Sequence, residues 1–264
     1  MKKLKVLFVA LLINGGLAFN AKAVPVDIAF VVDQSISMRS EFNWIPNAIN
    51  AIDTALTNES IVTSTRYGIA GYMTHAGNEP GAYNQNGKRL AYQDLTTNLT
   101  AVTDEASYAA THLYGTRELG YHAADWARTG FNWDNNAVKI MILLTDENAD
   151  QGSVIADVGQ GSDEKNLGKL LDDDNFLLNV VAPSSKNDQW DEAVYDINST
   201  YQGFFNLSYL RSNPDDFTAT FVDAKVGEIK KEADKKPSTG IPEPSMLALM
   251  GIGLLGFGFI RRRT

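Results

Sequence analysis

The sequence predicts an α/β fold with a mostly parallel central sheet flanked by helices. Two observations carry this. Nearly continuous β-favouring apolar runs at 26–32, 138–144 and 176–182 fit strands buried on both faces, as parallel sheets require. Segments of helical period lie between them, so strand and helix alternate along the chain.

The elements follow in order. The strand over 26–32 ends at Asp33 and a polar turn leads to a helix over 41–56, where Phe42, Ile45, Ala48, Ile49, Ile52 and Leu56 share one face. A strand is expected over 67–73, a Gly- and Asn-rich excursion over 75–88, and a short strand over 91–95. A helix over 97–112 takes Thr96 or Thr97 as its cap. Gly115 and Thr116 open the next helix, 117–128, with Leu119, Ala123, Trp126 and Ala127 facing inward. The strand over 138–144 ends in Thr145-Asp146; a helix over 164–171 and a strand over 176–182 follow. The remainder reads as a helix over 191–198, a strand over 203–207 and a closing helix over 215–232.

Both ends fall outside this pattern. Lys2, Lys3 and Lys5, an apolar stretch over 6–19 and Ala21-Lys22-Ala23 make a secretory signal peptide over 1–23, so the mature chain should begin at Val24. The folded domain is placed over 24–234 and a charged linker over 235–241. Pro242-Glu243-Pro244 then precedes an apolar stretch over 246–260 and three arginines. Fifteen apolar residues fall short of the ~20 that span a bilayer comfortably, while the arginine cluster suits the cytoplasmic side. A short transmembrane segment over 246–260 would leave the domain outside.

Composition narrows the function. With no cysteine, an exported chain can form neither disulfides nor thiolate metal sites. His75, His112 and His122 have no metal-ligand spacing. Without its two ends the chain keeps 16 basic and 31 acidic residues, a net charge near −15, which repels nucleic acid and suits a cation.

In an open α/β sheet, ligands gather beyond the carboxyl ends of the strands. Asp33 and Asp146 both end buried strands and can share one rim. The run Asp33-Gln34-Ser35-Ile36-Ser37 can aim Asp33, Ser35 and Ser37 at one point, and Thr116 offers a further hydroxyl. Two carboxylates and three hydroxyls suit a hard divalent cation, Mg²⁺ first and Mn²⁺ or Ca²⁺ as alternatives. An ion held largely by hydroxyls keeps its positive character, and a partner's Asp or Glu carboxylate can complete its shell.

In this combination the sequence resembles a von Willebrand factor type A domain with a metal-ion-dependent adhesion site, over about 26–232. Asp33, Ser35 and Ser37, followed by Met38, match its first loop; 66–72 resembles its second strand; Gly115-Thr116 matches its threonine loop; and 143–146 matches its aspartate loop. The resemblance implies a Rossmann-like three-layer sandwich, a metal site of Asp33, Ser35, Ser37, Thr116 and Asp146, and binding rather than catalysis. Ile36 stands where Gly is common, and Glu147 where Gly usually follows the aspartate; Glu147 bears on ion preference through its charge. The tail resembles the PEP-CTERM sorting signal over 242–264, which implies recognition by an exosortase, transient membrane contact, and export to the surface or matrix of a Gram-negative bacterium.

Three functions are therefore weighed: metal-dependent adhesion or matrix assembly through a protein ligand, a matrix protein whose metal only stabilises it, and a Mg²⁺-dependent phosphoryl-transfer enzyme. The last lacks a P-loop, a G-x-S-x-G and a second aspartate two residues after Asp33.

Overall fold

The computed structural model describes residues 23–73, 89–114, 119–149, 164–191 and 203–235. The expected signal segment, the excursion over 75–88, Thr116, most of the loop after Glu147, nearly all of the helix expected over 191–198, and the sorting tail lie outside these residues. The chain divides into two compact units, Met1–Ala233 and Asp234–Thr264, and the architecture described here is that of the first.

The strands are β1 (Val24–Asp33), β2 (Val62–Tyr72), β3 (Tyr92–Thr96), β4 (Val138–Leu144), β5 (Phe176–Ala182) and β6 (Phe204–Asn206). They form one sheet in the order β3-β2-β1-β4-β5-β6. Every neighbouring pair is parallel except β2 and β3. The helices are α1 (Arg39–Thr57), α2 (Leu99–Thr111), α3 (Gly120–Gly130), α4 (Glu164–Asp173), α5 (Leu207–Ser212) and α6 (Pro214–Lys235).

Alternation along β1 explains the three layers, because successive strand side chains point to opposite faces. Val26, Ile28, Phe30 and Val32 pack into one core with apolar residues of α1, α2 and α6. Ala29 and Val31 pack into a second core with Ala123, Ala124 and Ala127 of α3 and Leu167 and Leu171 of α4. Trp44 on α1 anchors the first core. Its ring lies edge-on to Phe30, Phe217 and Phe221, and its indole N–H donates to Thr218 Oγ1 at 2.8 Å. That bond satisfies the polar edge of a side chain otherwise buried among hydrocarbons.

Several boundaries differ from the sequence expectation. β2 begins at Val62, because its polar first half pairs through the backbone with β1 rather than by burial. Asn98, not Thr96 or Thr97, caps α2, its side chain accepting from Ala101 N–H at 3.4 Å. The strand expected over 203–207 stops at Asn206, whose side chain accepts from Tyr209 N–H at 3.1 Å and starts the unforeseen helix α5. Among the described residues no helix is long and apolar enough to cross a membrane; the 246–260 stretch lies outside them.

Candidate functional site

β1 and β4 are adjacent and in register from Val26↔Val138 to Val32↔Leu144. The chain leaves β1 towards β2 on one side, while β4 leads on to β5 and β6 on the other. The crevice above the β1/β4 pair is therefore the point where the sheet's winding reverses, the usual ligand position in open α/β sheets. Asp33 is the last residue of β1, and Asp146 follows β4 by two residues, so both reach this crevice.

The first loop folds tightly over Asp33. The Asp33 carboxylate accepts from Ser35 N–H at 2.8 Å through Oδ1 and from the Thr145 hydroxyl at 3.3 Å through Oδ2. Ser35 and Ser37 hydroxyls lie 3.0 Å apart, and the Ser37 hydroxyl donates to Asp146 Oδ1 at 3.0 Å. A 3-10 turn over Ile36–Met38 buries Met38 and turns Ile36 out to solvent at 66% exposure. Asp33, Ser35, Ser37 and Asp146 thus form one connected polar set. Thr116 lies outside the described residues.

Gln34 fastens this loop from behind. Its side-chain N–H donates to His112 O at 2.6 Å, its Oε1 accepts from Ala91 N–H at 2.8 Å, and its carbonyl accepts from Tyr114 N–H at 2.8 Å. The chain just before Thr116 is therefore tied to the Asp33 loop. Gly71 makes room for Gln34, since a Cβ there would lie 2.0 Å from its Oε1.

Asp33 is fully buried, and no Lys, Arg or His pairs with it among the described residues. Burial pushes its pKa up to about 7; the Ser35 hydrogen bonds oppose this and the nearby Asp146 charge adds to it. A carboxylate desolvated in this way is stabilised by a cation placed beside it. No cluster of three or more His, Cys, Asp or Glu that could hold a metal occurs among the described residues. The donor set instead mixes two carboxylates with hydroxyls, which fits a hard cation. His112 stacks on Tyr108 and points its Nδ1 at Tyr108 O, a structural arrangement. Glu147 N–H donates to Thr145 Oγ1 at 3.1 Å, so the aspartate loop turns tightly although it has Glu where Gly is common.

Residues that the sequence did not single out complete the rim. Thr145 holds Asp33. Arg211, at the end of α5, donates to Asp146 Oδ2 at 2.9 Å, to Glu41 Oε1 at 2.7 Å and to Ser37 O at 3.0 Å. Arg211 lies 178 positions after Asp33 on a helix that periodicity did not reveal, so no sequence signal joins the two.

The family model for the von Willebrand factor type A domain matches residues 27–219. The chain belongs to this family. The PEP-CTERM protein-sorting motif matches residues 240–263. No curated protein matches the type A domain chain. Two crystal structures of the pilus adhesin SpaC from Lactobacillus rhamnosus GG align with 81% of it, at 17% and 15% identity and a TM-score of 0.49. The second is of an open conformation, and the alignments cover 31% and 30% of the adhesin chain. This chain thus spans under a third of the adhesin's length. The family often binds a divalent metal, and the sorting motif marks this chain as an exported surface protein.

Proposed function

We propose that the type A domain holds one divalent cation at Asp33, Ser35, Ser37, Thr116 and Asp146, and uses it to bind a carboxylate on a protein partner at the cell surface or in the matrix. The observation that carries this reading is the buried Asp33 carboxylate: it has no cationic partner among the described residues, and it is linked through Ser35 and Ser37 to Asp146 at the sheet's winding reversal. The cation would supply the charge that Asp33 lacks, and the seryl hydroxyls would leave it electrophilic enough to accept an incoming Asp or Glu. Mg²⁺ suits this set best, with Mn²⁺ and Ca²⁺ as alternatives. We read the domain as a binding module rather than an enzyme, since the set offers hydroxyls and carboxylates for an ion and, among the described residues, no paired nucleophile and base.

The same reading extends to the rest of the chain. A signal peptide over 1–23 is removed, a linker over 235–241 follows the domain, and the sorting tail over 242–264, with its apolar segment 246–260, is removed by an exosortase after transient membrane contact. The alternative is a matrix protein whose ion only stabilises the fold. Retention of the purified protein on cell-envelope material, with Mg²⁺ or with EDTA, for wild type and Asp146→Ala, separates the two. Adhesion requires that EDTA and the variant both abolish retention while melting curves stay cooperative. Retention indifferent to both, or unfolding on chelation, sinks it.

A further inference from the structure

The rim already contains a cation. Arg211 reaches the crevice from α5 and touches three parts of it at once. Its Nη2 donates to Asp146 Oδ2 at 2.9 Å and to Ser37 O at 3.0 Å, and its Nε donates to Glu41 Oε1 at 2.7 Å. Glu41 is fully buried at the start of α1, whereas Arg211 keeps 35% of its side chain exposed. One guanidinium thus bridges the loop after β1, the loop after β4 and the first turn of α1. It also leaves Asp146 with both oxygens engaged, Oδ1 by the Ser37 hydroxyl and Oδ2 by Arg211.

We infer that Arg211 is the positioning residue that sets divalent-ion affinity, a built-in cation competing with the ion for Asp146 and tethered in place by Glu41. This deepens the proposed metal-site reading and rests on it. Two carboxylates, Asp146 and Glu41, bond to one arginine, and the charge of Asp146 in turn acts on the buried Asp33. Without a divalent ion, Arg211 offsets their repulsion and holds the two loops together. When an ion arrives, any direct contact from Asp146 is made by an oxygen that already accepts from Ser37 or Arg211, and the guanidinium's charge opposes the ion's own. Glu41 sharpens the device. Its carboxylate draws part of the Arg211 charge away from Asp146, and it adds negative potential that favours an ion. The two residues therefore push ion affinity in opposite directions although they form a salt bridge with each other. A purely structural bridge would behave otherwise, since breaking it from either end would loosen the rim alike.

The test is a calorimetric titration of the purified protein with Mn²⁺ at low salt. Arg211→Gln is expected to bind the ion about tenfold more tightly than wild type, the equivalent of ~1.4 kcal/mol. Glu41→Gln is expected to bind it more weakly. Arg211→Lys, which restores the charge without the forked reach, should return affinity most of the way to wild type. The gap between Arg211→Gln and wild type should narrow as salt is raised, because the competition is electrostatic. Melting curves supply a second readout: Arg211→Gln should melt lower than wild type in EDTA and gain more from Mn²⁺. Should Arg211→Gln not fold, the Glu41→Gln titration decides alone. If wild type binds the ion but Arg211→Gln binds it equally or less tightly, or Glu41→Gln binds it as tightly as wild type, the inference is overturned and the metal site stands. If neither wild type nor Arg211→Gln binds an ion, the metal site itself is wrong.

Discussion

Lys225 and Glu228 on α6 are 0% and 3% exposed, and the lysine ammonium lies 2.7 Å from Glu228 Oε1. Lys225 also donates to Asn179 Oδ1 of β5, and its ammonium lies 4.7 Å and 5.2 Å from the ring centroids of Phe205 and Phe221. Burial pulls Lys225 down to about 8 and pushes Glu228 up, so on both sides the surroundings oppose the charged form. The pair therefore fixes where α6 sits on β5 and adds little net stability. Replacing Lys225 by Met leaves the Glu228 carboxylate buried without its ammonium partner and facing the Asn179 amide, 3.4 Å from its Oε2. Stranding one member of a buried ion pair costs ~3–5 kcal/mol. For a domain of this size that lowers Tm by roughly 6–20 °C. The double variant Lys225→Met/Glu228→Gln removes both charges and leaves two amides facing each other, so its stability should return to within ~2 kcal/mol of wild type. Urea unfolding of wild type, both single variants and the double variant closes the cycle. A single variant costing under ~1 kcal/mol, or a double variant costing the sum of the singles, would refute the reasoning.

Asp33 makes the metal-free protein pH-sensitive. Its folded pKa of about 7 exceeds the ordinary 3.8, so the folded state holds the extra proton, and the associated stability is full below about 3.8 and lost as pH rises through 7. In EDTA, wild type should therefore lose up to ~2.7 kcal/mol more than Asp33→Asn between pH 5 and pH 7; parallel pH profiles would show that Asp33 is not the group responsible. Gly71→Ala would place a Cβ 2.0 Å from Gln34 Oε1 and expel Gln34 from its bonds to Ala91 and His112. Its expected cost is ~2–4 kcal/mol in thermal or urea melts, partly recovered by adding Gln34→Ala, and a neutral result would contradict the packing described. Intact mass of surface-released protein should begin at Val24 and lack the tail after Pro244; recovery of peptides from 246–260 would indicate a retained anchor.

The long apolar strands were legible because burial on both faces leaves a nearly continuous hydrophobic run, and β4 and β5 match their expected bounds. The rim was legible because Asp33 and Asp146 each follow such a run and the sheet brings parallel strand ends together. Elements set by polar chemistry were harder to see. The first half of β2 is Val-Thr-Ser-Thr-Arg, held by backbone pairing and polar side-chain bonds such as Arg66 to Asp27 rather than by a buried apolar run, and α5 is only six residues long, started by a single asparagine cap. Arg211 was invisible for the same reason: its place depends on how α5 leaves β6, and no spacing in the chain encodes that. Glu41 reads as an ordinary acidic residue in the first turn of a helix, and only the fold shows it buried against Arg211.

The central claim is that Asp33, Ser35, Ser37, Thr116 and Asp146 hold one divalent ion that the fold does not need. Calorimetric titration of the purified, EDTA-stripped protein with Mg²⁺ tests it most directly, with a melting curve recorded at each end of the titration. The expected result is one ion per chain, abolished by Asp33→Ala and by Thr116→Ala. The stripped protein should still melt cooperatively, and the ion should add no more than ~2.7 kcal/mol at a hundredfold excess over its Kd. No binding, binding that survives both substitutions, or a stripped chain that is already unfolded would contradict it.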